Sequence, residues 1–215
     1  MREKYVRQLK QLNTLLIQMG QLVEKAIEMA TSALIQQDTG QAEKVVAFDQ
    51  NIDEMEKEIE QLCLKLLRCQ QPVAGDLRFI SAALKMVTDL ERIGDQAADI
   101  SELTLTLSQN SYIKNLDHIE QMAVETTDMV IKSIEAYIEN DAPKARKVIA
   151  QDDVVDALFM ETKRELVNLI HEDINNGEQA SDLLMVAKYF ERIGDHATNI
   201  AEWVIFSITG EMFGE

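Results

Sequence analysis

Turn residues are scarce in this 215-residue chain, which has two prolines and eight glycines. A sheet protein of this length needs more of them. Aromatic residues reach only 5%, while Leu, Ala, Glu, Gln, Lys and Met abound, a helix-former's composition. No apolar run is long enough to span a membrane. The opening Met1-Arg2-Glu3-Lys4-Tyr5 runs directly into polar helix and does not resemble a signal peptide. Cys63 and Cys69 fall on opposite sides of one predicted helix, so a disulfide between them is geometrically poor. They lack a Cys-x-x-Cys spacing and read as free packing residues in a reducing cytoplasm. Basic residues are also in deficit: 21 Lys and Arg against 38 Asp and Glu give a net charge of −17. That surface repels phosphate backbones, which argues against direct nucleic-acid binding but leaves room for a local basic patch. Nor does it favour anchoring to an anionic membrane surface.

What is present is a repeat. Leu90-Glu91-Arg92-Ile93-Gly94-Asp95-Gln96-Ala97 returns as Phe190-Glu191-Arg192-Ile193-Gly194-Asp195-His196-Ala197, and Ile100 and Glu102 return as Ile200 and Glu202. Val45, Asp49 and Asp53 likewise match Val148, Asp152 and Asp156, and Asp38 matches Asp141. The chain is built twice from one unit, residues 1–109 and 110–215.

Each unit reads as three helices. The first spans Tyr5–Gln36, with Leu9, Leu12, Leu16, Met19, Val23, Ala26, Ala30 and Ala33 on one stripe. The second spans Thr39–Cys69, capped by Asp38 with Gln41 as capping-box partner. Pro72 ends it, and Asp76 caps a third helix that continues to Gln109. The fourth runs from Ser111 to Glu139. The fifth, capped by Asp141 and carrying Pro143 in its first turn, ends near Glu172. A turn at Asn175-Asn176-Gly177 leads to the sixth, Gln179–Phe206. The tail from Ile208 to Glu215 is frayed or docked. Short turns between long helices force antiparallel neighbours. The expected fold is all-α: a tandem pair of three-helix bundles related by a pseudo-two-fold.

On the third helix Glu91, Asp95, Asp99 and Glu102 fall within an arc of roughly 80°; the sixth carries Glu191, Asp195, Asn199 and Glu202 there. Like charges at this spacing destabilise a helix. Folding the chain about its turns brings Asp49 and Asp53 level with Glu91, Asp95 and Asp99, and Asp152 and Asp156 level with Glu191, Asp195 and Asn199. Gly94 and Gly194 keep those helices slim. Packed carboxylates raise one another's pKa unless a multivalent cation intervenes, and oxygen-only ligation suits Mg, Mn, Ca or Fe, with Zn possible. The alternative is a solvated acidic face, with Arg92 and Arg192 as ion-pair partners. Asn199 in place of Asp99 makes the second site one carboxylate poorer. His196, next to Asp195, either reaches a metal or, on the favoured reading, merely solvates; His118 and His171 are assigned no role, and Trp203 and Phe206 serve either a partner surface or the core. No histidine follows a Glu by three residues, as a ferritin-like di-metal enzyme requires, and no Gly-rich loop cradles phosphate.

The doubled Glu-Arg-Ile-Gly-Asp, the Pro72-Val73-Ala74-Gly75-Asp76-Leu77-Arg78 turn and the six-helix layout resemble the PhoU family of bacterial phosphate-transport accessory proteins. That resemblance implies a cytoplasmic, non-enzymatic regulator that restrains the phosphate-starvation response and phosphate uptake. It implies iron or zinc clusters, one per repeat, on Asp49, Asp53, Glu91, Asp95 and Asp99 and on Asp152, Asp156, Glu191, Asp195 and Asn199. The partners it implies are the ATPase subunit of the phosphate transporter, a membrane sensor histidine kinase and a second copy of the chain, with membrane association only through those partners.

Overall fold

In the computed structural model, residues 2–69 and 74–211 are described, apart from the side chains of Arg2, Lys4 and Cys69. The expected turn at 70–73, with Pro72, lies outside the described residues, as do the Cys69 side chain and the end of the tail, 212–215. Among the described residues six long helices run in sequence: α1 (Arg2–Gln36), α2 (Thr39–Cys69), α3 (Ala74–Leu107), α4 (Asp117–Glu139), α5 (Ala142–Glu172) and α6 (Gly177–Thr209). A single 3₁₀ turn, Ile174–Asn176, precedes α6.

The stripe on α1 is buried as its spacing requires: Leu12, Leu16, Met19, Val23, Ala30 and Ala33 are fully enclosed. Buried residues of all six helices join one continuous core. Helices α1–α3 pack on one another, as do α4–α6, and α3 lies antiparallel along α6 as the seam between the two sets. The seam's polarity follows from its contacts, since Arg78 meets Gly210, Lys85 meets Trp203, and Asp89 meets His196.

The repeat extends to the caps. Gln37 and Asn140 both take the left-handed conformation, with φ of 54° and 53°. The next N–H in each case donates back to Ala33 and to Ala136, both at 2.9 Å. This is a Schellman closure used twice. The helix that follows is capped by the expected aspartate: Gln41 N donates to Asp38 Oδ1 at 3.0 Å and Lys144 N to Asp141 Oδ1 at 2.9 Å.

Some expectations fail. Gln41 does not close a capping box; its Nε2 donates to the Met29 carbonyl at 2.9 Å, tying α2 to α1. Asp76 lies inside the first turn of α3 rather than capping it, because the helix already starts at Ala74. The fourth helix starts at Asp117, not Ser111. The intervening segment is held by long-range bonds instead: Tyr112 Oη donates to Leu34 O at 2.5 Å and Ile113 N to Gln179 Oε1 at 2.6 Å. Its polar residues spend their hydrogen bonds between helices, not along one. At the other end α6 continues to Thr209 and closes on Gly210, whose φ of 84° suits glycine. Trp203 and Phe206 are half-buried and meet edge to face at 5.6 Å.

Candidate functional site

Each carboxylate face is built around a glycine. A Cβ on Gly94 would lie 3.1 Å from Asp49 Oδ1 and 2.8 Å from Ile52 Cδ1. On Gly194 it would lie 3.1 Å from Asp152 Oδ1 and 3.4 Å from Val155 Cγ1. The missing side chain lets α2 seat Asp49 directly on the backbone of α3, and α5 seat Asp152 on α6. An interior glycine costs a helix about 1 kcal/mol relative to alanine; the seat it makes for a carboxylate is the reason it stands there.

The first face is the more enclosed. Burial pushes the Asp49 carboxyl up to about 6, reinforced by Asp95, Asp53 and Asp99. Burial also takes Glu91 up to about 7, helped by Asp95, Glu56 and Asp53 and opposed by Arg92. Asp99 is raised by burial and by Glu102 and Asp95, while Arg192 of the other repeat opposes the rise. The five carboxylates expected together on this face are therefore coupled. Arg92 holds part of the charge, with Nη1 donating to Asp95 Oδ2 at 2.9 Å and Nε 3.4 Å from Glu91 Oε2. Two oxygens of this face, Asp49 Oδ1 and Glu91 Oε2, are shielded from water and accept no hydrogen bond from a described residue.

The second face repeats the first with differences. Burial raises Asp152 to about 6, reinforced by Asp195, Asp156, Glu191 and Asp153. Asp195 is raised by burial and by Glu191, with Lys188 opposing. Asp156 and Asp195 are exposed, however, whereas Asp53 and Asp95 are half-buried. Lys188 pairs with Glu191; the first repeat has Thr88 at that position. Asn199 does not join Asp152 and Asp156. It turns to the seam, where its Nδ2 donates to Asp89 Oδ1 at 3.3 Å. His196 is not merely solvated either: its Nδ1 lies 2.9 Å from the same oxygen. Asp89 and Lys188 escaped the sequence reading because they occur in one repeat only, as Asp89 against Tyr189 and Lys188 against Thr88. The signal for both was divergence between repeats, not identity.

The donor chemistry suits a hard, multivalent cation: oxygen ligands, two of them on the first face buried without a hydrogen bond. Among the described residues no group of three or more His, Cys, Asp or Glu is arranged to hold a metal ion with the side chains as they stand. Arg92 and Lys188 occupy the charges that a cation would otherwise neutralise. The residues fit the expected metal on the first face, once Arg92 gives way, better than on the second.

Two other features stand apart. A cleft of about 400 Å³ on the seam is lined by Lys85, Thr88, Asp89, Asn199, Glu202 and Trp203. Another of about 410 Å³, near Lys114, His118 and Glu165 where α4 begins, is remote from both faces. There His118 Nδ1 sits 3.4 Å from Glu165. Cys63 is buried and its thiol is pushed up to about 12, which leaves it inert as a nucleophile or ligand.

The sequence pattern described as "PhoU domain" matches twice, at residues 16–104 and 119–204. A "Phosphate-specific transport system accessory protein PhoU homolog" from Clostridium acetobutylicum is 39% identical over 98% of this chain and 96% of its own length. The homologue of that name from Aquifex aeolicus is 39% identical over 97% and 95%. The crystal structure of PhoU from Pseudomonas aeruginosa superposes with a TM-score of 0.92 at 34% identity, covering 96% of this chain and all of that one. The phosphate transport system regulatory protein PhoU from Streptococcus pneumoniae gives 0.90 at 27% identity, covering 98% and 100%.

Proposed function

The chain belongs to the PhoU family, and from that membership we propose that it is a non-enzymatic adaptor that restrains phosphate uptake and the phosphate-starvation response. It is a regulatory accessory protein of phosphate transport. The partners that follow are the ATPase subunit of the phosphate transporter and a membrane sensor histidine kinase, met in the cytoplasm, with the protein itself a homodimer. No helix among the described residues is long and apolar enough to cross a membrane.

The observation that carries the reading is the doubled seat of an aspartate on a helical glycine, Asp49 on Gly94 and Asp152 on Gly194. A seat made twice, with coupled carboxylates around it, is a device for holding charge. It contains no nucleophile–base pair that would suggest turnover.

On this reading Asp49, Asp53, Glu91, Asp95 and Asp99 hold iron or zinc on the first face, and Asp152, Asp156, Glu191 and Asp195 hold it more weakly on the second. The cation would neutralise each cluster and turn a repulsive face into a docking surface. Asn199 leaves the metal set for the seam. Co-precipitation of the metal-loaded and metal-stripped protein with the transporter ATPase and with the kinase tests the adaptor role. Binding to neither partner in both states would sink it.

A further inference from the structure

We propose that the start of α1 and the end of α2 form a cationic face by which the protein docks directly on an anionic lipid surface. This reading does not depend on the carboxylate faces. In a chain of net charge −17, no acid occurs between Glu3 and Glu24 of α1, nor between Glu60 and Cys69 of α2. The two stretches pair only in the fold. Because α1 and α2 run antiparallel, Arg7 and Lys10 come level with Lys65 and Arg68. All four are exposed, and none forms an ion pair with a described residue. The same stretches of α1 and α2 carry exposed apolar side chains, Val6 at 45% and Leu64 at 59%, and the adjoining start of α3 adds Leu77 at 47%.

Helix stability does not explain the charge on α1, since cations in opening turns oppose the helix dipole. The repeat does not require it either. Where the first repeat has Lys65 and Arg68, the second has Asn168 and His171, beside Glu161, Glu165 and Glu172. The face is therefore an addition to one copy.

Its composition selects the occupant. Arg7 and Arg68 suit a protein partner as well as a lipid, but Lys10 and Lys65 are of a type depleted in protein interface cores, and the exposed apolar side chains are Leu and Val, under-represented among hot spots, with no aromatic. Lys and Arg around isolated aliphatic side chains are what interfacial lipid binding uses. The acidic remainder does not forbid it, because α1 alone is about 50 Å long and charges are screened within about 8 Å at physiological salt.

The test is co-sedimentation of the full chain, in chelator, with phosphatidylcholine vesicles with and without phosphatidylglycerol. The expected result is binding to the phosphatidylglycerol vesicles only, lost in high salt. Each surface cation contributes about fivefold. Arg7→Gln with Lys10→Gln, and Lys65→Gln with Arg68→Gln, should thus each weaken binding by about tenfold or more. Lys163→Gln with Arg164→Gln on the second repeat should change it by less than about twofold. All positions are exposed, and circular dichroism confirms the fold of each variant. The proposal is overturned if the native chain ignores phosphatidylglycerol at low ionic strength, or if both α1 and α2 pairs bind as the native chain does. Loss of ATPase-subunit binding by these pairs, with no vesicle binding by the native chain, would assign the face to an acidic protein instead.

Discussion

Asp89 of α3 accepts two contacts from α6: His196 Nδ1 at 2.9 Å and Asn199 Nδ2 at 3.3 Å. One carboxylate oxygen thus ties the two repeats together at their seam, close to where Gly94 and Gly194 seat the aspartates of the neighbouring helices. The pseudo-symmetric position is Tyr189, so the tie exists on one side only.

Asp89→Ala is expected to destabilise the protein by about 1–3 kcal/mol, the range for removing a partner of half-buried polar groups. His196→Ala should cost a similar amount, and the double variant less than the sum of the two. Urea unfolding of the four proteins measures the coupling. Additive losses would show that the two residues do not act on each other.

Gly94→Ala and Gly194→Ala should differ. Both gain about 1 kcal/mol of helix propensity. At Gly94 the new methyl meets Ile52 Cδ1 at 2.8 Å as well as Asp49, and overpacking a closed core costs about 1–3 kcal/mol. At Gly194 the nearest carbon is Val155 Cγ1 at 3.4 Å. Denaturant titration should find Gly94→Ala the less stable of the pair; the reverse order would contradict the seat geometry.

The metal-free protein should lose stability as pH rises from about 4 to about 7. The carboxyls of Asp49 and Asp152 are raised from 3.8 to about 6, and that of Glu91 from 4.5 to about 7. Between the unfolded and folded values the native state holds protons that the unfolded chain has released, so rising pH favours unfolding through that window. Asp49→Asn with Asp152→Asn should flatten the slope in chelator. A stability that is level or rises across the window would refute the coupling.

Elemental analysis should give less metal per chain for Glu91→Ala with Asp95→Ala, and more at the second face for Lys188→Thr, which frees Glu191 from its ion pair. Unchanged metal content in the first variant would mean that the α3 carboxylates are not ligands.

Much of this arrangement was legible in the residues. The identity of Glu91 to Asp95 with Glu191 to Asp195, and of Asp38 with Asp141, located the repeat and its caps, because helical periodicity and capping are local rules. Asp49 could be set level with Asp95 by counting from a turn. The start of α4 could not be found this way. Residues 111–116 are compatible with helix locally, but Tyr112 and Ile113 bond to α1 and α6 instead. The direction of Asn199 was equally hidden, since helical spacing places it near the acidic arc and only the neighbouring helix decides which side it serves.

By itself, then, the sequence determined the helices, their doubling and the carboxylate pairs, all properties of spacing along one chain. The tertiary structure decided which residues cross between repeats, why the two faces are unequal, and where scattered cations gather. Asp89, Lys188 and the Arg7–Arg68 face acquire meaning only from the side chains of other helices. Packing distance, unlike period, is not written in any one segment.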